Sequence, residues 1–522
     1  MTYSEIIKQF LPQSVSPELS TNLILFAVPH DRLTEICTTL YTTHSLPLKT
    51  IKAADERATN GVFKIMYIFA VPHEKYFLVP YVAVKEGQSF PSLVKHIYES
   101  LRYEQEIHSM FGLLPEGNVF LQPFILHENW PQTSFPLRKD FKGTTRPAMI
   151  DATGPFQKIE GEGIYEIPVG PVHAGIIEPG HFRFSVAGEE IISLEPKLGY
   201  THKGSEKLFE SFTIPEMIKL SERISGDTSF TQSLAFCQAI EQLGGIKVPK
   251  RASYLRVIYS ELERMANHLN DVGFILNDTA FSFGGSYGTR LREQIIQLCE
   301  ELTGHRFLRG VNTIGGVTKD ISPEKQQSIG ALVRSLKKDF EELIEIVENK
   351  ETVLNRLRGT GVLEKQTAHD YGVVGIAARA SDIPVDARID YPYAAYPDMN
   401  VQVAKRDSGD VYARYNVRIQ EVINAIHIIL HALNNLPSGQ ISQHTTLTLK
   451  PNSYTVSITE GWRGDIVYFV ATDTNGKVSR VGIRDASFLN WPAVPQAVVG
   501  NIVPDFPLIN KSFNLSYSGF DR

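Results

Sequence analysis

Cysteine is scarce in this 522-residue sequence, which contains only Cys37, Cys237 and Cys299. No two of them lie within four residues of each other, so the chain has neither a disulfide framework nor a Cys-x-x-Cys metal motif. It also lacks the run of about 18 uncharged apolar residues that a membrane-spanning helix requires, and the N-terminus does not resemble a signal peptide. We therefore expect a soluble, intracellular chain that has no membrane anchor of its own.

Glycine-rich phosphate-binding motifs are missing as well. Neither GxGxxG nor GxxxxGK(S/T) follows a predicted strand, so any NADH used by the protein's system would bind to another subunit. Lys and Arg total 52 against 58 Asp and Glu, and the formal net charge of −6 argues against a nucleic-acid partner. With 42% hydrophobic and 21% charged residues, the composition is typical of a folded globular protein.

Hydrophobic periodicity predicts an α+β fold. Residues 61–85 form two β-rich runs around a Pro-His-Glu-Lys turn and predict a hairpin, whereas residues 91–112 keep helical spacing. A predicted strand pair at 182–194 precedes several long helices. One of these begins at Ser322-Pro323, which provide an N-cap and a first-turn proline, and another spans about 415–436.

The predicted elements divide the chain into two domains. Residues 1–142 form a small α+β domain, and residues 143–163 form a linker that is rich in Gly, Thr and Pro. Residues 164–522 form a mainly helical bundle flanked by small antiparallel sheets. This order of elements is not the strand–helix alternation of a Rossmann fold.

Both predicted domains resemble subunits of respiratory complexes. Residues 60–142 resemble the small hydrophilic subunit of complex I, most clearly in Phe135-Pro-Leu-Arg-Lys-Asp-Phe141. The remainder resembles the quinone-site subunit of complex I and the large subunit of membrane-bound nickel–iron hydrogenases. The fused arrangement resembles the large subunit of formate hydrogenlyase and related complexes. The motifs of the second region are Gly170-Pro-Val-His173, Glu178-Pro-Gly-His-Phe-Arg183, His202-Lys-Gly-Ser-Glu-Lys207, Glu261-Leu-Glu-Arg264, Ala378-Arg-Ala-Ser381, Glu460-Gly-Trp-Arg-Gly-Asp465 and Asp521-Arg522.

The resemblance also shows which metal ligands have been lost. Hydrogenases of this family hold nickel and iron through four thiolates from two Cys-x-x-Cys pairs. Here Ser225 and Thr228 correspond to the first pair, and Ser516 and Gly519 to the second. A hydroxyl is a poor donor to a soft metal and glycine has no side chain, so we expect no nickel–iron centre and no metal in this chain.

The resemblance implies a polar cavity that is hydrogenase-shaped but vacant of metal. Its quinone-binding relatives place a tyrosine at the position of Gly226. We expect His173, Glu178 and Asp227 to supply or relay protons, and Arg223 and Arg379 to stabilise developing negative charge. Considered alone, a loop histidine is more often a hydrogen-bonding residue than a catalyst.

The function implied is that of a subunit in a membrane-bound, proton- or sodium-translocating oxidoreductase complex. We expect the chain to bind no cofactor directly and to lie peripherally on the cytoplasmic face of the cell membrane. It would pack against a small iron–sulfur subunit and a membrane arm, and pass electrons from the partner's cluster to quinone or another acceptor. A structural or coupling subunit without its own chemistry is the alternative, and an orphan hydrogenase is a third, weaker one.

Overall fold

A computed structural model provides the three-dimensional structure of the protein. It describes residues 17–74, 76–152, 154, 156–173, 177–443 and 446–522. Over these ranges the chain combines helices with several small sheets, which confirms the predicted α+β fold. None of the described helices is both long enough and apolar enough to cross a membrane.

A five-stranded sheet forms the N-terminal region. Its strand order is β1-β2-β5-β4-β3, and all pairs are antiparallel except β2 with β5. The antiparallel pair β4–β5 confirms the predicted hairpin. The strands are β1 (Glu18–Ser20), β2 (Leu23–Ala27), β3 (Leu48–Glu56), β4 (Val62–Ala70) and β5 (Phe77–Val84).

Strand β4 is buried along almost its whole length because both faces of the sheet are covered. Phe63 and Ile65 on one face join the main core, whereas Met66 and Ile68 on the other pack with Val467 and Phe469 of a later strand. The N-terminal sheet therefore lies between two hydrophobic layers, one of which comes from the far end of the chain.

The helix predicted from residue 91 begins later, at Ser100, and ends at Phe111. The Glu104 side chain accepts hydrogen bonds from the Leu93 backbone N–H and the Ser92 hydroxyl, each at 2.7 Å. These bonds hold the preceding segment in turns rather than in a continuous helix. Gly112 ends the helix in the left-handed region, at φ 69°, as a C-terminal glycine commonly does.

Smaller sheets follow along the chain. Strands β6 and β7 pair in parallel, and the remaining small sheets are antiparallel. The strand pair predicted at 182–194 is present as β9 and β10. The strands are β6 (Ser89–Pro91), β7 (Leu114–Glu116), β8 (Ile164–Val169), β9 (His181–Ala187), β10 (Glu190–Lys197), β11 (Asn312–Thr313), β12 (Gly316–Val317), β13 (Tyr454–Gly461), β14 (Gly464–Thr472) and β15 (Val478–Arg484).

Helices dominate the region after β10. They are α1 (Leu33–Thr38), α2 (Arg57–Asn60) and α3 (Ser100–Phe111) in the N-terminal region, then α4 (Ser205–Leu208), α5 (Ile214–Ser221), α6 (Ser229–Gly244), α7 (Lys250–Asp278), α8 (Ser282–Thr303), α9 (Pro323–Glu348), α10 (Glu351–Leu357), α11 (Lys365–Asp370), α12 (Gly375–Ala380), α13 (Ala387–Asp390), α14 (Val411–Asn434), α15 (Ala486–Asn490), α16 (Val494–Val498), α17 (Phe506–Phe513) and α18 (Tyr517–Asp521). No helix or strand begins among the described residues of 143–163.

Helices α7, α8 and α14 form the centre of the bundle. A Cβ atom added at Gly288 of α8 would lie 2.7 Å from Gly273 Cα of α7, so this pair of glycines allows the two helices to approach closely. The Ser322 hydroxyl accepts a hydrogen bond from the Lys325 N–H, which confirms the predicted start of α9. Asp410 caps α14 in the same way through the Ala413 N–H.

Buried ion pairs connect the N-terminal sheet to the last strands and the C-terminal residue. Glu106 Oε2 lies 3.2 Å from Lys52 Nζ, and its Oε1 lies 2.8 Å from Arg522 Nη1. Glu206 neutralises the same two cations at 3.7 and 3.6 Å. It also pairs with Arg480 of β15 at 2.8 Å. The two predicted domains thus share a charged interface in addition to the main core. The boundaries between these domains stay a prediction.

This interface gives a stability prediction. In a Glu106→Gln variant, Lys52 and Arg522 remain buried with less counter-charge, so the free energy of unfolding should fall by roughly 2–4 kcal/mol, measured by urea titration. Glu116→Gln is the matched control, because Glu116 is exposed and its change should stay within about 0.5 kcal/mol. Equal stability of the two variants would contradict the role given to this interface.

Candidate functional site

The four positions predicted to correspond to hydrogenase metal ligands lie together. Ser225, between α5 and α6, places its Oγ 2.9 Å from Oγ of Ser516, the N-cap of α18. Ser516 Oγ also accepts a hydrogen bond from the Gly519 N–H at 2.9 Å. Thr228 Oγ1 lies 3.0 Å from Asp227 Oδ1, a carboxylate oxygen that the Ser225 hydroxyl also approaches to 2.9 Å. We call these four residues, with Asp227, the central cluster.

An arginine fills the space that the sequence predicted to be vacant. Arg463, in the turn between β13 and β14, donates from Nη1 and Nη2 to the two carboxylate oxygens of Asp227, each at 2.7 Å. Its Nη1 also lies 3.4 Å from Ser225 Oγ and 3.3 Å from Thr228 Oγ1. The guanidinium stacks over the Trp462 ring at 3.8 Å, and the indole N–H donates to Thr228 Oγ1. The prediction of an open cavity at this place is therefore wrong, because a protein cation occupies it.

The residues present do not fit a nickel–iron centre. The hydroxyls of the central cluster are engaged with one another and with Arg463, and a Cβ added at Gly519 would lie 2.8 Å from the Asp485 carboxylate. None of the three cysteines stands at a position of the central cluster, although Cys299 lines the small cavity beside Asp227. Burial raises the pKa of each thiol, so none is a ready thiolate ligand. Beside Asp227 the cavity has a volume of about 20 Å³, which is room for one water.

The charge of Asp227 is fixed by this arrangement. Burial alone would raise the pKa of the Asp227 carboxyl, but the positive charge and hydrogen bonds of Arg463 outweigh it. Hydrogen bonds from the Ser225 and Thr228 hydroxyls act in the same direction, so the pKa is lowered overall. At neutral pH Asp227 is thus an ionised counter-ion, which can accept a proton but has none to donate.

Glu178 and Arg223 also lie at the central cluster. Glu178 Oε2 accepts a hydrogen bond from the Ser518 N–H at 3.0 Å, which places this exposed carboxylate against α18. Arg223 is exposed on the loop that carries Ser225, 3.6 Å from the Glu222 carboxylate. His173 is half-buried at the other end of the loop that contains Glu178, with its ring 6.4 Å from that of Phe182. Its Nε2 has no hydrogen-bond partner among the described residues.

Arg379 lies elsewhere and does not line an open cavity. Its side chain is fully buried and donates from Nη1 to Glu460 Oε1 and to the Val385 carbonyl, both at 2.9 Å. Its Nη2 lies 3.4 Å from Glu421. None of these partners belongs to the central cluster. Arg379 is held by them because a fully buried guanidinium needs carboxylates to neutralise its charge.

Three further residues at the site, Glu263, Lys203 and Arg309, were not predicted from the sequence. Glu263 lines the small cavity beside Asp227, and burial raises its pKa to about 7 despite hydrogen bonds from Thr231 and Phe230. We define the cationic rim as Lys203, Arg223 and Arg309, three cations on or next to the loop that carries the exposed Gly226. Lys203 Nζ donates to the Ile224 carbonyl at 3.3 Å, and a Cβ added at Gly226 would lie 3.6 Å from Arg309 Nη2. Their charges were visible in the sequence, but their convergence depends on long-range folding.

Comparison with known proteins decides the family. Residues 26–147 match the family model described as "Respiratory-chain NADH dehydrogenase, 30 Kd subunit", and residues 271–453 and 448–522 match the "49 Kd subunit". Formate hydrogenlyase subunit 5 of Escherichia coli (strain K12) is 32% identical over 94% of this chain and 87% of that protein. The chain belongs to the superfamily of complex I and membrane-bound hydrogenase large subunits. The predicted resemblance, including the fusion of two subunit types, is confirmed.

Other relatives from this superfamily agree. Hydrogenase-4 component G of Escherichia coli (strain K12) is 32% identical over 96% of this chain and 88% of that protein. An NADH-quinone oxidoreductase component from Dehalococcoides mccartyi is 34% identical over 68% of this chain and 97% of that protein. A chain in the solved structure of the membrane-bound sulfane sulfur reductase, an archaeal respiratory membrane complex, superposes with a TM-score of 0.65 at 26% identity. The match covers 69% of this chain and 99% of that chain.

The Arg463–Asp227 pair gives a prediction with a defined pH dependence. In Arg463→Met, Asp227 loses its counter-ion, and the free energy of unfolding at pH 7 should fall by roughly 1–2 kcal/mol. This loss of stability is smaller than for a fully buried ion pair because the Asp227 side chain is 39% exposed to solvent. Arg183→Met is the control, since Arg183 forms a partly exposed pair with Glu166 and should cost less than about 1 kcal/mol.

The sign of the pH effect follows from the lowered pKa of Asp227. The stability contributed by the ionised Asp227 carboxylate is present at pH values above the pKa of this group in the unfolded chain, which is about 3.9. It is lost as the pH falls through the lower pKa of the folded protein. The stability difference between wild type and Asp227→Asn, measured by urea titration, should therefore be constant from about pH 7 to about pH 5 and narrow below about pH 4. A difference that grows on acidification would contradict the assignment.

Proposed function

We propose that this chain is a subunit of a membrane-associated, ion-translocating oxidoreductase complex that works without a nickel–iron centre. In this proposal, electrons pass from an iron–sulfur cluster in a partner subunit to quinone or another acceptor bound against the cationic rim. The observation that supports it is the Arg463–Asp227 pair, which lies against Ser225 and Thr228, two of the positions predicted to correspond to metal ligands. Lys203 and Arg309 lie near the neighbouring residues Ile224 and Gly226.

The chemistry of the rim suits an acceptor that becomes negative on reduction. Fixed cations in a site that a partner shields from water stabilise charge as it develops, since they need no reorganisation during the reaction. Glu178 and His173 border the same face and are the groups that would exchange protons with a reduced acceptor. Arg379 is too deeply buried to take part, so the stabilising role predicted for it passes to Arg309 and Lys203.

The partners and the location are part of the proposal. The relatives named above belong to hydrogenase and NADH-quinone oxidoreductase complexes, which supports an association with membrane-arm subunits and a small iron–sulfur subunit. Val172, next to His173, is 87% exposed, as expected where another subunit covers this loop. We place the chain peripherally, on the cytoplasmic face of the membrane.

A structural or coupling role is the second candidate. It is favoured by the closed centre, because a cavity of about 20 Å³ beside Asp227 leaves no room for a quinone ring inside the subunit. In this alternative the Arg463–Asp227 pair replaces the metal only as a structural link between α18, the α5–α6 loop and the β13–β14 turn.

Gly226 separates the two candidates. A side chain can be added there, since the nearest atom to a new Cβ is Arg309 Nη2 at 3.6 Å, and it would project between the cations of the rim. In the purified complex, Gly226→Leu should slow re-oxidation of the partner's reduced cluster by decylubiquinone by roughly tenfold, because the acceptor is displaced. The measurement is the decay of the cluster's paramagnetic signal.

Gly143→Leu is the matched control, because Gly143 is exposed and a Cβ there meets only Lys207, at 4.0 Å. Its rate should equal that of the wild type. An unchanged rate in Gly226→Leu would favour the structural role over the redox role. Failure of decylubiquinone to re-oxidise the unmodified complex would contradict quinone as the acceptor.

Metal analysis tests the proposal that the complex works without a nickel–iron centre. The purified complex should lack nickel in stoichiometric amount with this chain, measured by plasma mass spectrometry. A variant that combines Ser225→Cys, Thr228→Cys, Ser516→Cys and Gly519→Cys should still lack it. The Arg463 guanidinium lies against positions 225 and 228, and a side chain at 519 meets the Asp485 carboxylate at 2.8 Å. Stoichiometric nickel in the unmodified complex would revive the orphan hydrogenase.

A further inference from the structure

A second cavity, of about 420 Å³, lies apart from the central cluster. Its walls come from the start of α3 (98–102), the loop 122–128, the end of β10 (194–198) and the segment 489–496. Its volume falls within the range of pockets that bind small molecules. None of the residues that line it belongs to the central cluster or to the cationic rim.

One side of this cavity is apolar and aromatic. Phe124 and Phe520 meet edge to face with ring centroids 5.3 Å apart, and both line the cavity with Trp491 and Leu194. The Trp491 indole N–H is already engaged, since it donates to the Ser516 carbonyl at 3.2 Å. This wall therefore offers flat apolar surface rather than hydrogen bonds.

The lining also includes a half-buried cation without a counter-ion. Arg102 Nη1 donates to Gln105 Oε1 at 2.8 Å, whereas its Nε is buried and has no hydrogen-bond partner. Arg102 forms no ion pair with any residue that the structure describes. The ionisable groups nearest to it are the phenols of Tyr98 and Tyr371, which are neutral at pH 7 and whose rings are 4.9 Å apart.

The carboxyl groups that line the cavity do not neutralise Arg102. Glu128 pairs with Lys197 at 2.7 Å, and Glu195 accepts a hydrogen bond from the Gln157 N–H. Glu99 is 8% exposed, and burial raises the pKa of its carboxyl to about 8, so it is neutral at pH 7. Its Oε1 has no hydrogen-bond partner in the described part of the chain.

A buried guanidinium stays protonated at neutral pH, and leaving it unpaired is costly. The cavity lining combines this unpaired cation, two phenols and a neutral carboxyl with the aromatic wall. Such a lining is complementary to a molecule with an anionic head and a flat apolar body. We propose that this cavity binds a small organic carboxylate, whose head group pairs with Arg102 and whose hydrophobic body packs against Phe124, Trp491 and Phe520.

The site is independent of the proposed electron transfer. Its test uses the full chain and 2-naphthoate as the probe, with binding measured by calorimetry at pH 7. We expect saturable binding that weakens by roughly tenfold or more in Arg102→Gln, because the charge-assisted hydrogen bonds to the head group are lost. The neutral isostere 2-naphthalenemethanol should bind weakly, and equally to both proteins.

Arg290→Gln is the matched control, since Arg290 is exposed on α8 and far from the lining of the cavity. It should bind 2-naphthoate like the wild type. No saturable binding to the wild type, or equal binding by Arg102→Gln, would overturn the proposal.

Thermal unfolding separates a binding role of Arg102 from a structural one. Without ligand, Arg102→Met should have a Tm at or above that of the wild type, because an unpaired buried charge has been removed. With 2-naphthoate, only the wild type and Arg290→Gln should show a rise in Tm. A lower ligand-free Tm in Arg102→Met would mean that Arg102 supports the fold, and the proposal would fail.

Discussion

The pairing of buried arginines with carboxylates is the constraint on which most of this structure depends. Arg388 pairs with Asp386 at 2.6 Å and with Glu261 and Glu421 at 3.2 Å, which ties α13 to α7 and α14. A charge removed from water must be neutralised where it lies, so these pairs fix the relative positions of elements that are distant in sequence. Arg463 obeys the same rule in its pair with Asp227. Arg414 is fully buried without a carboxylate, but its guanidinium donates to Ser512 Oγ and to the Gly409 and Gly361 carbonyls. Arg102 has neither a carboxylate nor a partner for its Nε among the described residues.

The Arg463–Asp227 pair and the nearby hydroxyls join segments that a metal centre would otherwise link. A metal centre held by thiolates places a cation between anionic ligands contributed by two segments of the chain. Here the guanidinium supplies the cation and Asp227 the anion, while the Ser225 and Ser516 hydroxyls bond to each other across 2.9 Å. The same two segments remain joined, but through hydrogen bonds and one ion pair instead of metal–sulfur bonds.

Sequence reasoning succeeded where the signal was local. The β4–β5 hairpin and the start of α9 followed from alternation, a turn and an N-cap within a few residues. It failed where the deciding contact was distant: Asp227 and Arg463 are 236 residues apart, and nothing near either residue indicates the other. The start of α3 was missed for a related reason, since Glu104 captures the backbone at Leu93 through its side chain. The burial of Arg379 likewise depends on Glu421 and Glu460.

An ion pair at the central cluster also limits the chemistry that the cluster itself can perform. Neither a guanidinium nor a carboxylate has a redox state within biological reach, so no electron can reside on the central cluster. Under the proposed function, electrons therefore pass directly from the partner's cluster to the acceptor, and this chain contributes charge and protons. The acceptor must then lie on the open side of Gly226, between the cationic rim and the partner. The reacting site is thus formed by two subunits, and its walls in this chain are Lys203, Arg223 and Arg309 rather than a cavity of its own.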